Sequence, residues 1–154
     1  MQSDFLIRQS SLQVTSDLKA LETVLAWLEQ FNHPDLTQET WWQYQVMVAE
    51  GFTNAARHAH QHLPTTTPIL LEVHLYTQAI EIRIWDQGLP FDLPGKLADL
   101  LQQQPLLDPL EQESGRGLLF LHRLSDELSY SPVEPQGNCL LLRKYLVTAP
   151  APYS

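Results

Sequence analysis

In the run AEGFTNAARHAH, Glu50 and Asn54 stand four residues apart, and Arg57 and His58 follow within the next turn. A helix advances about 100° per residue, so all four project from one stripe, opposite an apolar stripe of Val48, Phe52, Ala55 and Ala59. A carboxylate stacked beside a carboxamide offers oxygen ligands to a hard cation and can orient a water or a hydroxyl next to it. The same spacing in isolation is most often a solvated polar face, so other residues must converge on it for the pair to mean chemistry.

Two further runs qualify. In IWDQGLPFD an apolar strand pattern ends in Asp86 and turns through Gly88. A carboxylate there can accept a hydrogen bond from an exocyclic amine, and a glycine lets backbone approach a ligand; an ordinary Asp-x-Gly turn has the same letters. In ESGRGLLFLHRLSDEL, Gly115 and Gly117 are expected directly before a helix, whose exposed amide groups would bind phosphate beside the Arg116 guanidinium. Each run alone is weak. All three together, in this order and with a proline-rich stretch between the second and third, are a poor coincidence.

The elements that must position them can be read from periodicity. Alternation predicts a strand over 11–15, and Ser16 or Asp17 then caps a helix carrying Leu18, Leu21, Val24, Leu25 and Leu28, which closes around 31–34. Thr37 with Thr40, or Asp35 with Gln38 and Glu39, starts a second helix over about 37–60. Strands over 69–76 and 79–85 form a hairpin through Thr77 and Gln78. The stretch 87–114 breaks up on Pro90, Pro94, Pro105 and Pro109, with a weak amphipathic patch at 96–101, and reads as a lid loop. Helical spacing resumes over 115–124, strands follow over 127–131 and 138–147 around the turn PVEPQGN, and the tail 148–154 is expected to be disordered. Helices and strands in blocks point to an α+β two-layer sandwich: a mixed, mostly antiparallel sheet with its helices on one face, in a single domain with a core of about 11–147 and a lid of about 90–114.

Composition narrows the partners. With 9 Lys and Arg against 18 Asp and Glu in 154 residues, the net charge is −9, which argues against nucleic acid as the target. The one cysteine, Cys139, allows no internal disulfide. The start MQSDFLIRQSS lacks a signal-peptide core and no apolar run reaches membrane-spanning length, so a soluble, cytoplasmic protein is expected.

The three runs, with the closing pattern LSDELSYSPVEPQGNCLLLRKYL, resemble the GHKL (Bergerat-fold) ATPases, and most closely the small bacterial anti-sigma-factor serine/threonine kinases, over about 12–146. The resemblance implies ATP and Mg²⁺ as cofactors. It makes Glu50 the general base and Asn54 the Mg²⁺ ligand, and places Arg57 and His58 near the phosphates. It gives Asp86 the adenine amine and Gly88 the approach of the base, and leaves Gly115, Arg116, Gly117 and Leu118 to cradle phosphate. It further implies a protein serine/threonine kinase acting as an anti-sigma factor, with a STAS-type anti-anti-sigma protein as phosphoacceptor, a sigma factor as second partner, and a possible homodimer. The alternative within the family is a non-catalytic, ATP-binding regulator that works by sequestration.

Two departures bear on rate. Where many members read D-x-G-x-G, this chain has Pro90 for the second glycine, which stiffens the entry to the lid. Acidic residues at 86, 92, 99, 108, 111 and 113 face one basic residue, Lys96, so phosphate neutralisation rests on Mg²⁺ and Arg116. From a different class, His58, His60 and His62 suggest zinc; His58 and His62 share a helix face but His60 points away and no carboxylate completes the set, so a solvated, fraying helix end is the better expectation. Adjacent Trp41 and Trp42 point about 100° apart and are read as helix anchors.

Overall fold

The computed structural model describes residues 4–103, 109–135 and 137–146. Its five strands are β1 (Leu6–Thr15), β2 (Pro68–Tyr76), β3 (Ala79–Asp86), β4 (Glu127–Val133) and β5 (Gly137–Tyr145), in the order β1-β2-β3-β5-β4. Every pairing among the described strands is antiparallel. The helices are α1 (Leu21–Leu28), α2 (Gln38–Asn54), α3 (Leu93–Gln103) and α4 (Pro109–Leu124). The expected α+β sandwich is therefore present, built on an antiparallel sheet.

Alternation puts Ile69, Leu71, Val73 and Leu75 of β2 and Ile80, Ile82 and Ile84 of β3 on one face, fully covered by Val24 and Leu28 of α1, Met47, Val48 and Phe52 of α2, and Leu118 and Leu121 of α4. Among the described residues the opposite face carries no helix. There Glu81 pairs with Arg83 at 3.0 Å and Arg143 at 3.7 Å, and His74 pairs with Glu72 at 3.1 Å. Cys139 also lies on that face; burial raises its thiol pKa to about 11, so it stays protonated and unreactive.

The expected strand over 11–15 extends back to Leu6, because the edge position of β1 leaves residues 6–9 exposed on both sides and removes the alternation that marks a strand. Asp17 does cap the first helix, accepting from the Lys19 amide at 3.0 Å, but its first turn is 3-10. Thr37 caps α2 through the Thr40 amide at 3.1 Å. Of the two tryptophans, Trp41 packs on the core while Trp42 is 55% exposed.

The largest departure is the stretch expected to be a loop. Helix α3 occupies 93–103, capped by Asp92, whose carboxylate accepts from the Gly95 amide at 3.2 Å. Pro94 falls in the first turn, where a missing N–H costs nothing, so a proline that looked like a breaker is a helix start. The same holds for Pro109 at the first position of α4. Residues 104–108 of the expected lid, Gln136 of the last turn and the tail 148–154 lie outside the described residues. No helix among the described residues is long and apolar enough to cross a membrane.

Candidate functional site

Helix α2 carries Glu50 and Asn54 one turn apart, as expected. Asn54 is 7% exposed and makes no side-chain hydrogen bond among the described residues, so its carboxamide oxygen is available to a ligand. The helix reaches this point flush against the sheet: a Cβ on Gly51 would sit 2.4 Å from Ile84 Cδ1. Directly after Asn54 the chain winds into a π turn over Ala55–Ala59, with the His60 amide bonded to the Ala55 carbonyl at 2.9 Å. Such turns are frequent at functional sites because they rotate the residues that follow. Here they leave Arg57 and His58 exposed and bury His60 at 3% exposure. His60 is thus no part of a solvated, fraying end, and no group of three or more metal-binding side chains exists among the described residues.

Asp86, at the end of β3, is 2% exposed. Its Oδ1 accepts from the Gly88 amide at 2.9 Å and from Asn138 Nδ2 at 2.9 Å, and its Oδ2 accepts from the Tyr130 hydroxyl at 2.8 Å. Asn138 also donates to the Gly88 carbonyl at 2.7 Å. Two donors fill the lone pairs of Oδ1; Oδ2 keeps one lone pair for a further donor. Burial and the Asp86 carboxylate push the Tyr130 phenol well above its ordinary pKa, so it remains a donor. Phe91 stacks on the Tyr130 ring at 4.4 Å, and Lys96 of α3 lies over Phe91 at 5.3 Å. Crowding around the His58 ring, with Lys96 and Arg57 nearby, lowers the His58 pKa. The Lys96 charge is thus felt at His58 together with that of Arg57, which the sequence alone did not indicate.

Gly88 meets the α2 end at close range. A Cβ there would fall 2.1 Å from the Ala59 carbonyl oxygen, which is backbone and cannot swing away. Gly88→Ala is expected to destabilise the fold by about 1–3 kcal/mol, measured by urea denaturation, because either β3 or the π turn must move.

The glycines of the third run stand differently from expectation. Helix α4 begins at Pro109, so Gly115, Arg116, Gly117 and Leu118 lie inside it and not at its N-terminus. Inside a helix the amides bond to carbonyls four residues earlier, and free donors remain only in the first turn. Arg116 is exposed and Leu118 is 3% exposed, part of the core. Gly117 packs against α2: a Cβ on it would lie 2.6 Å from Glu50 Oε2. In this conformation the base candidate and the glycine run touch, but the phosphate cradle is not formed.

The structure thus sets Gly117 against Glu50, one turn from Asn54 on α2, and sets Gly88, bonded to Asp86, against Ala59 in the turn that follows Asn54; it adds Tyr130, Asn138 and His60, which the sequence did not announce. Asn138 faces Asp86 directly in the β3–β5 register, a pairing that no local pattern announces. The carboxamide oxygen of Asn54 suits Mg²⁺, the Glu50 carboxylate beside it suits proton transfer, and Asp86 suits an amine-bearing base.

Comparison with known proteins gives the family. Residues 14–144 match the family model of the histidine kinase-like ATPase domain. Among curated proteins, the serine-protein kinase RsbW of Halalkalibacterium halodurans is 31% identical over 105 residues, covering 66% of this chain and 60% of its own length. RsbW of Bacillus licheniformis is 31% identical over 86 residues, covering 54% and 53%. RsbW of Listeria innocua is 25% identical over 103 residues, covering 66% and 64%. The chain therefore spans between about half and two thirds of the length of these relatives. With both glycine-bearing runs and the Asn54 helix inside the matched region, the chain belongs to the histidine kinase-like ATPase family.

Proposed function

We propose that this protein is an ATP-dependent protein serine/threonine kinase of the partner-switching type, an anti-sigma factor that phosphorylates a STAS-type anti-anti-sigma protein and holds a sigma factor when that acceptor is phosphorylated. The observation that carries the reading is the pair on α2, a buried Asn54 carboxamide without a side-chain hydrogen bond among the described residues and the Glu50 carboxylate one turn away, with a buried Asp86 whose turn closes through Gly88 on Ala59, in the π turn that follows Asn54. Similarity to proteins named serine-protein kinases supports it.

Each residue has a definable task. Asp86 Oδ2 accepts the adenine amine, held in place by Tyr130, Asn138 and the Gly88 amide. Asn54 would hold Mg²⁺, and the bound ion would supply neutralisation of charge on the transferring phosphoryl group. Glu50 would take the proton from the acceptor hydroxyl as its oxygen bonds to the γ-phosphorus and the bond from that phosphorus to the β,γ-bridging oxygen breaks, releasing ADP. Arg57, His58 and Lys96 supply positive charge or donors at the end of α2. The amides near Gly115 and Gly117 become free to bind phosphate only when α4 starts later than Pro109, so nucleotide binding is coupled to unwinding of its first turns. Glycine is suited to that role because it weakens a helix interior by about 1 kcal/mol. The continuous α4 against Glu50 favours one second reading, a nucleotide-binding switch without turnover.

The test is incubation of the purified protein with Mg·ATP and a STAS protein, with phosphate incorporation measured on the acceptor. Transfer that is lost in Asn54→Ala is expected. No transfer to any STAS protein, with no ATP binding and with Asn54→Ala indistinguishable from the wild type, overturns the kinase reading.

A further inference from the structure

His60 lies at a junction of four segments distant in sequence. Its Nδ1 is 2.5 Å from Ser16 Oγ at the end of β1, and Ser16 Oγ donates in turn to the Thr67 carbonyl at 2.6 Å. The Gln87 amide, one residue past Asp86, donates to His60 Nε2 at 2.7 Å. These partners dictate the tautomer. A backbone N–H can only donate, so Nε2 must offer its lone pair. The Ser16 hydroxyl proton is committed to Thr67, so Nδ1 must carry the hydrogen and donate to Ser16.

We propose that His60 is a positioning residue for the base-reading turn: a neutral imidazole that fixes the Gln87 amide, and with it the Asp86–Gly88 backbone, through its Nε2 acceptor. The proposal rests on the reading of Asp86 as the adenine acceptor. It does not rest on the hydrogen bond alone. The residue before His60, Ala59, presents the carbonyl on which Gly88 closes, so consecutive residues of the π turn hold the Asp86–Gly88 turn from two directions. That turn sends the Gly88 amide back to Asp86 Oδ1 and the Gly88 carbonyl to Asn138. A shift of Gln87 therefore displaces the one carboxylate oxygen left for the ligand.

A second proton on His60 would set Nε2–H against the Gln87 N–H and break the arrangement. The groups facing the ring are Asp86 from β3, which favours the charged form, and the neutral Ser16, Thr67 and Gln87; burial is the larger influence and lowers the pKa below the ordinary 6.5. A base whose pKa is depressed on folding contributes stability above its unfolded pKa and loses it as pH falls. The turn is therefore set at neutral pH and released in acid.

Two substitutions separate positioning from simple packing. In His60→Gln the amide oxygen reaches the place of Nε2 and keeps an acceptor for Gln87. In His60→Asn the side chain reaches the place of Nδ1 and removes the Nε2 acceptor from the Gln87 backbone amide. Both lose part of the network and should melt at similarly reduced temperatures. The expected result at pH 7.5 is ATP affinity within about threefold of wild type for His60→Gln and at least tenfold weaker for His60→Asn, a loss consistent with one buried hydrogen bond. The ratio of wild-type to His60→Gln affinity should fall only as the pH drops through the depressed pKa of His60, on the acid side of the ordinary imidazole value, since the amide does not titrate. Hydrogen exchange at the Gln87 amide gives a readout independent of nucleotide: protected in the wild type and His60→Gln, fast in His60→Asn. Equal Gln87 protection in both variants, or ATP affinities that follow their melting temperatures alone, overturns the proposal. A wild-type protein that binds no adenine nucleotide overturns the Asp86 reading instead, and the exchange data still decide whether His60 sets the turn.

Discussion

Glu50→Gln is expected to reduce phosphotransfer to a STAS acceptor by about 100- to 10,000-fold while changing ATP affinity by less than about threefold. The substitution keeps the size and shape of the side chain on α2 and removes its ability to take a proton. Glu50 is half-buried and bears no hydrogen bond that holds the Asp86 pocket together, so the binding site should be untouched. Single-turnover incorporation of labelled phosphate measures the first quantity and calorimetry the second. A variant that still transfers phosphate at the wild-type rate would remove Glu50 from the chemistry. One that loses transfer but regulates its partner unchanged would favour the sequestering switch.

Asp86→Asn, in contrast, should weaken nucleotide binding strongly, and its effect on the fold should be small. The asparagine oxygen can take the place of Oδ1 and accept from Gly88 and Asn138, while its NH₂ group faces Tyr130, whose hydroxyl can turn to accept. The internal network then survives with a loss of about 1 kcal/mol. The ligand's side does not: the free lone pair of Oδ2 becomes an N–H that opposes the exocyclic amine. A drop in ATP affinity of roughly 10- to 100-fold follows from leaving those donors unpaired. Calorimetric titration measures it, and urea denaturation checks that the fold remains. An affinity unchanged in Asp86→Asn would place the base elsewhere.

These expectations depend on residues of unequal visibility in the sequence. The Glu50–Asn54 helix was legible because its cap at Thr37 and its two stripes obey the helical period, and the β2–β3 hairpin was legible because both strands alternate around a short connection. Asp86 and Gly88 followed from the end of that hairpin. The start of α4 was not legible: two glycines in GRG suggested a helix beginning, whereas Pro109 supplied a stronger one further upstream. Similarly, Pro94 read as a breaker until its place in the first turn of α3 was seen. His60 was hidden by the π turn, which shifts the helical phase after Asn54 by one residue and buries a side chain that an uninterrupted helix would leave outside. Tyr130 and Asn138 depend on strand register across more than forty residues, and no local spacing encodes that.

The acidic balance, −9 over the chain, also takes on a local meaning. The negative surplus does not exclude a polyphosphate ligand, because the positive charges of Lys96 on α3 and of Arg57 both act on His58 at the end of α2. Charge neutralisation there rests on a few groups and a divalent cation. The most direct test is therefore a calorimetric titration of the protein with ATP, with and without Mg²⁺, repeated for Asn54→Ala. The account predicts saturable one-to-one binding that Mg²⁺ tightens in the wild type and does not tighten in Asn54→Ala. Absence of saturable ATP binding, or an equal Mg²⁺ effect in both proteins, would contradict it.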